Sequence, residues 1–557
     1  MLRLTEIKLP LGHAENALPD AILQTLDITP AEMARFAVFK RSFDARKAVI
    51  MQVYIVDVTL ASAALEAQLL ATHAGNPHIF ATPDMAYHPV GSAPANLPLR
   101  PVVVGFGPCG MFAALVLAQM GFKPIVLERG KTVRERTKDT WGLWRKNVLN
   151  PESNVQFGEG GAGTFSDGKL YSQIKDPRHL GRKVMNEFVK AGAPADILFE
   201  AHPHIGTFKL VKVVENLREQ IIALGGEIRF QQRVTDVLIE GAPSNRHIRG
   251  LTVLDQSTGQ THELHADQVV LALGHSSRDT FAMLHARGVY VEAKPFSIGF
   301  RVEHPQGLID RARWGRHAGD PALGAAEYKL VHHASNGRSV YSFCMCPGGT
   351  VVAATSEVGR VVTNGMSQYS RNERNANAGI VVGIDPRDYP GFEAGNPLAG
   401  IDLQRQLETH AYVLGGSTYE APGQLVGDFV AGRASTGLGD VMPSYKPGVA
   451  MGDLSSALPG YAIEAMREAF PAFGQKIKGF DRHDAVLTGV ETRTSSPIKM
   501  SRGDDLQSLN VRGLYPAGEG ASYAGGILSA GVDGIKVAEA VARTLLAEAE
   551  SARLALA

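Results

Sequence analysis

A glycine-rich turn between two short apolar strands constrains this chain more than any other feature. Residues 99–130 read LRPVVVGFGPCGMFAALVLAQMGFKPIVLERG. An apolar strand at 102–104 runs into the spacing G-x-G-x-x-G, an apolar helix at 111–120 follows, and a second strand ends at Glu128. The three glycines are Gly105, Gly107 and Gly110. This strand–turn–helix–strand context separates a dinucleotide-binding loop from a chance match.

Each position in the turn has a physical role in holding a pyrophosphate. Gly105 permits the tight turn, Gly107 lets the backbone approach the phosphates, and Gly110 allows the helix to pack closely on the strand. The helix N-terminus offers free N–H groups and the positive end of its dipole. Glu128 stands where a carboxylate accepts the adenosine ribose hydroxyls and disfavours the 2′-phosphate of NADP. The other residues expected here are Pro108, Cys109 and Arg129, with Cys109 interpreted as a small residue rather than a reactive thiol.

The turn alone does not separate FAD from NAD, but residues 511–550 favour FAD. They read as a strand, a Gly-Glu turn, a glycine loop and a long helix. This segment resembles the second FAD contact of the two-dinucleotide-binding flavoprotein superfamily, in which an acid after the strand binds the pyrophosphate–ribityl region. That acid is usually Asp, and here it is Glu519. The resemblance implies contacts from Gly518, Glu519, Gly525, Gly526 and Ile527, with the positive helix end favouring reduced flavin.

Two further segments are similar to that superfamily in the expected order. Residues 266–280 match the strand at which the chain returns to the cofactor, with Leu273 and Gly274 at the pivot. Residues 225–241 resemble the β-hairpin whose backbone, near Val234, brackets the adenine. Together these resemblances imply non-covalently bound FAD.

A second G-x-G-x-x-G lies in the stretch NVQFGEGGAGTFSDGKLYSQI, residues 154–174. No apolar helix follows it, so it does not predict a second nucleotide site. In the superfamily a comparable loop lies over the flavin and pyrophosphate, which implies contacts from Gly161, Ala162, Gly163, Thr164 and Lys169. Lys169 lies either near the isoalloxazine or in solvent. Since no other strand–glycine–helix unit is present, NADH or NADPH would visit the flavin only transiently.

Three phrases resemble a narrower group, a bacterial family of FAD-dependent dehydrogenases without a settled substrate. They are CMCPGG at 344–349, NGMS at 364–367 and ETRTSSP at 491–497. The expected fold class is α/β with α+β additions, a Rossmann-like FAD/NAD(P)-binding domain carrying an inserted β-rich substrate domain and a small N-terminal α+β module. The predicted parts are 1–97 for the module, 98–290 and 481–557 for the FAD domain, and 291–480 for the insertion. In the module, Thr29 is a candidate helix cap before PAEMARF, and residues 50–60 read as an alternating strand.

Cys344 and Cys346 stand one residue apart and allow two interpretations. In an extended strand their Cα atoms would lie near the ~6.8 Å limit for a disulfide with Cβ atoms too far apart, so pairing requires a bent backbone. Two small buried residues are favoured over a redox or substrate-contacting pair. No catalytic acid or base and no metal site is assigned. The titratable residues that could reach a flavin are His275, Glu357, Glu491, Arg493 and Tyr523.

Composition narrows the classes of function. Lys plus Arg and Asp plus Glu both number 56, which gives no electrostatic footprint for nucleic acid. No apolar run reaches the ~20 residues of a membrane span, and neither a signal nor a transit pattern opens the chain, so a cytoplasmic protein off the membrane is expected. The leading hypothesis is an FAD-dependent oxidoreductase that transfers hydride between a small organic substrate and flavin N5. The alternatives are a flavin monooxygenase, an FAD-binding RNA-modification or assembly partner that uses FKRSFDARK, residues 39–47, and a purely structural flavin binder. Oligomeric state is not predicted.

Overall fold

The computed structural model describes residues 1–556 and opens with a four-stranded antiparallel sheet. Two helices pack against it and bury its apolar face. The elements are β1 (Leu2–Pro10), α1 (Ala17–Leu26), β2 (Met33–Asp44), β3 (Met51–Leu60), α2 (Ala63–Thr72) and β4 (Ile79–Ala81), and the strand order is β2–β3–β1–β4. The strict alternation of buried and half-buried residues along β3 is the period of two that a one-sided sheet requires.

The helix predicted after Thr29 is wrong beyond its first turn. Thr29 and Glu32 do form a reciprocal capping box, but the helix is a single 3-10 turn at Pro30–Glu32. The chain then continues as β2, which pairs with β3 along its length. Pairing with a neighbouring strand has overridden the local helix signal, as tertiary context commonly does.

The next part of the chain alternates strands with helices. Its elements are β5 (Val102–Val104), α3 (Pro108–Gln119), β6 (Ile125–Glu128), α4 (Val133–Lys146), α5 (Leu180–Lys190), α6 (Thr207–Ala223), β7 (Glu227–Phe230), β8 (Gln232–Glu240), β9 (His247–Asp255), β10 (Gln260–His265), β11 (Val269–Leu271), α7 (Arg278–Ala286) and β12 (Glu292–Ala293). Residues 225–241 are not the single hairpin predicted. Gln231, at φ 57°, turns the chain, so that β7 joins a parallel sheet while β8 pairs with β9 in a separate three-stranded sheet.

The insertion is built on an eight-stranded sheet. Its elements are β13 (Phe296–Pro305), α8 (Gln306–Trp314), β14 (Val331–His333), β15 (Ser339–Ala353), β16 (Thr363–Ser367), β17 (Asn375–Ile384), α9 (Ala399–Leu414), β18 (Ala421–Leu425), α10 (Val426–Ala431), β19 (Val449–Met451), α11 (Gly460–Lys476) and β20 (Val486–Glu491). The strand order is β14–β15–β17–β13–β20–β18–β19, with β16 paired to β15. Because β20 hydrogen-bonds to β13, this sheet extends past the boundary predicted at residue 480. The other domain boundaries stay predictions.

The chain returns to complete a five-stranded parallel sheet, and the fold class is the α/β, Rossmann-like one expected from the sequence. The last elements are β21 (Ile498–Lys499), β22 (Leu514–Pro516) and α12 (Ile527–Leu556). The strand order is β22–β11–β5–β6–β7. The β12–β21 pair joins the two places where the chain leaves and re-enters this domain.

Helices α3 and α12 pack against each other at the centre of the nucleotide-binding domain. Every residue of α3 from Cys109 to Ala118 is buried. A glycine at 534 is required because a Cβ there would overlap the carbonyl oxygen of Cys109. This close contact brings the N-terminal ends of both helices to the same side of the parallel sheet.

Within residues 1–556, no helix combines the length and hydropathy that crossing a bilayer requires. The same residues contain no group of three or more His, Cys, Asp or Glu side chains placed to hold a metal ion.

Candidate active site

A cavity of about 750 Å³ lies where the parallel sheet meets the inserted domain. The segments that line it follow the carboxyl ends of β5, β6, β11 and β22, the edge at which open α/β sheets bind their ligands. Of the residues predicted for the cofactor site, all line this cavity except Gly110 and Thr164.

The phosphate loop owes its shape to its first and third glycines. Gly105 has φ 98°, and a Cβ there would overlap the carbonyl oxygen of Ala272. A Cβ at Gly110 would overlap the carbonyl oxygen of Gly105, so Gly110 lies behind the loop and permits close packing. Gly107 opens α3 with ordinary backbone angles and no side-chain cap, which leaves the first N–H groups of the helix without intrahelical partners.

Glu128 ties the phosphate loop to the second glycine loop. Its carboxylate accepts hydrogen bonds from the backbone N–H groups of Phe106 (2.9 Å), Gly130 (2.8 Å) and Gly158 (3.0 Å). The side chain is buried and also lines the cavity. Arg129, beside it, bonds to Glu152 and Asp279, and these two carboxylates raise its pKa despite burial.

Arg136, which the sequence did not single out, fixes the second glycine loop. The fully buried guanidinium donates to the carbonyl oxygens of Asn154, Val155 and Glu159, each at 2.7 Å. Thr164 lies behind the cavity wall beside this guanidinium, at 3.5 Å. This second glycine loop lies directly against the phosphate loop, because a Cβ at Gly161 would stand 2.8 Å from the Cα of Gly107. A buried arginine on an amphipathic helix carries no local sequence signal for such a contact.

Lys169 lies in the cavity wall, and the alternative that it is solvated is wrong. Its ammonium group donates to the carbonyl oxygen of Met345 in the inserted sheet. Asp167 and Glu327 stand 3.8 Å and 3.9 Å away and raise the pKa of Lys169, against the opposing effect of burial. Lys169 therefore stays charged and joins the two domains across the cavity.

The remaining predicted residues come from the later returns of the chain. Val234, at the start of β8, and Leu273 line one end of the cavity. Burial raises the pKa of Glu519 to about 7, with Lys294 acting in the opposite direction. A Cβ at Gly518 would stand 2.8 Å from the Cβ of Cys109, so this turn lies directly on α3. Around the N-terminus of α12 the lining residues are Ala162, Gly163, Gly525, Gly526 and Ile527.

The inserted domain contributes a buried charged network to the opposite wall. Arg493 lines the cavity and donates to Glu408, which also binds Arg278. The two guanidinium groups hold the pKa of the Glu408 carboxyl well below its usual range. His275, next to Arg493, has its pKa lowered to about 3, chiefly by burial, so its ring is neutral at physiological pH. The sequence singled out Arg493 and His275 as residues that could reach a flavin, but not Arg278 or Glu408.

Comparison with known proteins decides the family. A sequence model described as "FAD-dependent protein, C-terminal domain-like" matches residues 295–494, and one described as a domain of unknown function (DUF8436) matches residues 1–59. An uncharacterised protein of Clostridium beijerinckii is 45% identical over 540 residues, which cover 97% of this chain and 98% of that protein. The chain belongs to this family of FAD-dependent proteins. Membership confirms the family expected from the CMCPGG, NGMS and ETRTSSP phrases.

The solved structures to which this FAD-dependent protein is similar are distant from it. An open-conformation flavocytochrome c3 fumarate reductase is 12% identical, with 87% of this chain and 82% of that chain covered and a TM-score of 0.35. A flavoprotein/dehydrogenase from Cytophaga hutchinsonii and a geranylgeranyl bacteriochlorophyll reductase-like protein from Thermoplasma acidophilum are each 12% identical to this chain. Each match covers 81% of this chain and 79% of the other chain, with a TM-score of 0.34. At such TM-scores nothing about activity follows from the likeness.

The residues of the cavity fit the FAD that the family implies. Gly107, Gly274 and Gly525 present bare backbone to the cavity, and a Cβ at Gly274 or Gly525 would meet no atom within 4 Å. The N-termini of α3 and α12 both open onto this space, one without a side-chain cap. Free N–H groups beside open space are the surroundings that a pyrophosphate requires.

Proposed function

We propose that this protein is an FAD-dependent oxidoreductase of the dehydrogenase type, which binds FAD non-covalently and acts on a small organic substrate. The observation that carries the proposal is the continuity of the cavity. It runs from Val234 and Glu128 past the α3 N-terminus to Lys169, Cys344 and Arg493 of the far wall. The predicted dinucleotide site and the charged side chains of the far wall therefore share one space.

Different groups of the chain would bind different parts of FAD. The α3 N-terminus, bare at Gly107, would hold the pyrophosphate, and Glu128 would accept the adenosine ribose hydroxyls. Glu519 would face the ribityl chain, and the α12 N-terminus would hold the edge of the ring that gains negative charge on reduction. When bound, FAD supplies a two-electron acceptor and donor at its N5 position.

The substrate end of the cavity is formed by the inserted domain and by residues 171–174. The latter lie in a stretch without regular secondary structure, and Tyr171 is 41% exposed. Asn364 and Arg493 also line the cavity and carry hydrogen-bond donors, and the neutral ring of His275 lines it as well. These residues would orient a small polar substrate and exclude water. No separate pyridine-nucleotide domain is needed if NADH or NADPH visits this end transiently.

An anaerobic titration of the purified protein with NADH, then NADPH, tests the proposal through the absorbance band of the flavin. Rapid bleaching by either supports a pyridine-nucleotide-linked oxidoreductase. No bleaching by either, with the flavin still reducible by dithionite, restricts the proposal to a dehydrogenase reduced by its own substrate. A folded protein that binds no flavin would contradict it.

A further inference from the structure

The strand that carries Cys344 and Cys346 is not regular at this point. β15 loses register with β17 between Phe343 and Cys346, and Cys344 has φ 43°, in the left-handed region that favours glycine. The backbone is therefore bent here, which is the condition that pairing of the two cysteines requires. The Cys346 thiol instead contacts the carbonyl oxygen of Cys344 at 3.4 Å. Strained backbone of this kind clusters at functional sites.

Two cationic side chains hold this bulge. Arg301, which is fully buried, donates to the carbonyl oxygen of Cys344 at 2.8 Å and to Glu491 at 2.7 Å. Lys169 donates to the carbonyl oxygen of the residue between the cysteines. The bulge is thus fixed from both domains, as bulges beside active sites commonly are.

A glycine on the neighbouring strand makes room for the inner sulfur. A Cβ at Gly365 would stand 2.9 Å from the sulfur of Cys346 and 2.5 Å from the Nη1 atom of Arg301. The pocket around Cys346 is therefore closed, and this thiol is fully buried. Cys344 lines the cavity in front of it.

The surroundings give the two thiols different acidities. A hydrogen bond from the Cys346 thiol, followed by the charges of Arg301 and Lys169, lowers the pKa of Cys344, against the opposing effect of burial. The pKa of Cys346 is raised, by its bond to Cys344 and by burial. A thiolate facing the cavity beside a protonated partner is the arrangement of an attacking and a resolving thiol.

We propose that Cys344 and Cys346 form a dithiol–disulfide couple that exchanges electrons with the flavin across the cavity. On oxidation the Cys344 thiolate and the Cys346 thiol form the Sγ–Sγ bond and lose two electrons and one proton, and oxidised flavin accepts all three to become its anionic reduced form. The reverse step consumes that reduced flavin and restores the thiolate and the thiol. The assignment of flavin as the electron acceptor rests on the proposed function. The formation of a bond between the two cysteines does not depend on it.

Thiol mapping of the full-length protein tests the bond itself. The protein is equilibrated in a series of glutathione buffers with increasing ratios of oxidised to reduced glutathione, then quenched with acid, unfolded and alkylated. The mass of the peptide containing residues 344 and 346 is then measured by mass spectrometry. We expect two alkyl adducts in reducing buffer and none in oxidising buffer, while Cys109, remote in sequence and buried under α12, is alkylated throughout. In Cys346→Ser we expect a glutathione adduct on Cys344. Both thiols remaining free at every ratio, or a wild-type glutathione adduct without the internal bond, would overturn the proposal.

Electron counting tests the link to the flavin. Fully oxidised wild-type protein should take up about four electrons per flavin from dithionite, and Cys344→Ser about two. Wild-type uptake of about two electrons per flavin would overturn the exchange between the pair and the flavin. If the serine variant fails to fold, the electron count of the wild-type protein and the thiol mapping still test the proposal. Absence of flavin would instead contradict the proposed function, and the thiol mapping would still test whether the two cysteines form a bond.

Discussion

Replacing Gly107 by alanine should strongly weaken FAD binding while leaving the apoprotein folded. A Cβ at this position would stand 3.5 Å from the Cα of Gly161, an ordinary contact, and would otherwise point into the open cavity. Gly107 has φ −80°, so alanine meets no backbone strain. Alanine is a poorer helix cap than glycine but restricts the unfolded chain, so the net change in unfolding free energy should stay within about 1 kcal/mol.

The effect on the cofactor should be much larger. A methyl group in front of the α3 N-terminus keeps a pyrophosphate away from the helix N–H groups. Each charge-assisted hydrogen bond contributes about 1.5–3 kcal/mol, so losing one or two weakens binding by about 3 kcal/mol, or roughly a hundredfold in Kd.

The assay pairs thermal unfolding of the apoprotein with an FAD titration followed by flavin fluorescence. The control is Gly460→Ala, at the first residue of α11, where a Cβ meets no atom within 4 Å and the cavity is remote. We expect both variants to unfold within about 4 °C of the wild type and only Gly107→Ala to lose affinity. Wild-type affinity in a folded Gly107→Ala protein would refute the placement of the pyrophosphate.

Three further predictions concern stability of the apoprotein, measured by urea unfolding. The folded pKa of Glu519 is raised to about 7 from 4.5, so its contribution to the free energy of unfolding is fully present below about pH 4.5 and is lost as the pH rises through 7. Glu519→Gln should remove this pH-dependent loss, which amounts to at most about 3 kcal/mol, and an unchanged pH profile would contradict the raised pKa. Glu408→Gln should cost about 3–5 kcal/mol because it leaves buried guanidinium groups unneutralised, whereas the exposed Glu393→Gln should change stability by less than about 0.5 kcal/mol; equal effects would argue against the buried network. Gly534→Ala should cost about 1–3 kcal/mol through overlap with α3, and a neutral result would show that the two helices lie further apart.

The parts of the fold that the sequence predicted well are those decided by neighbouring residues. The strand Val102–Val104, the end of β6 at Glu128 and the start of α12 at Ile527 all lie where glycines and apolar runs indicated. In these segments the turn, the helix start and the strand are specified within about 30 residues, the span of one nucleotide-binding unit.

The parts that the sequence did not predict depend on contacts between distant residues. Arg301 and Glu491 are separated by 190 positions, and Arg278 and Glu408 by 130. Nothing in the local pattern of either residue indicates its partner. The same holds for β2, whose helix-cap signal was overridden by pairing with β3, and for Cys344, whose bulge depends on Arg301 of another strand.

The most direct test of the account is the identity and stoichiometry of the cofactor. The purified full-length protein is denatured without proteolysis, and the released material is identified by mass and by its absorbance spectrum. We expect about one FAD per chain, all of it released, since the cavity offers glycine backbone and helix N-termini to a dinucleotide. A folded protein that yields no flavin, even after incubation with FAD, would contradict the central claim, and so would one that binds FMN in its place.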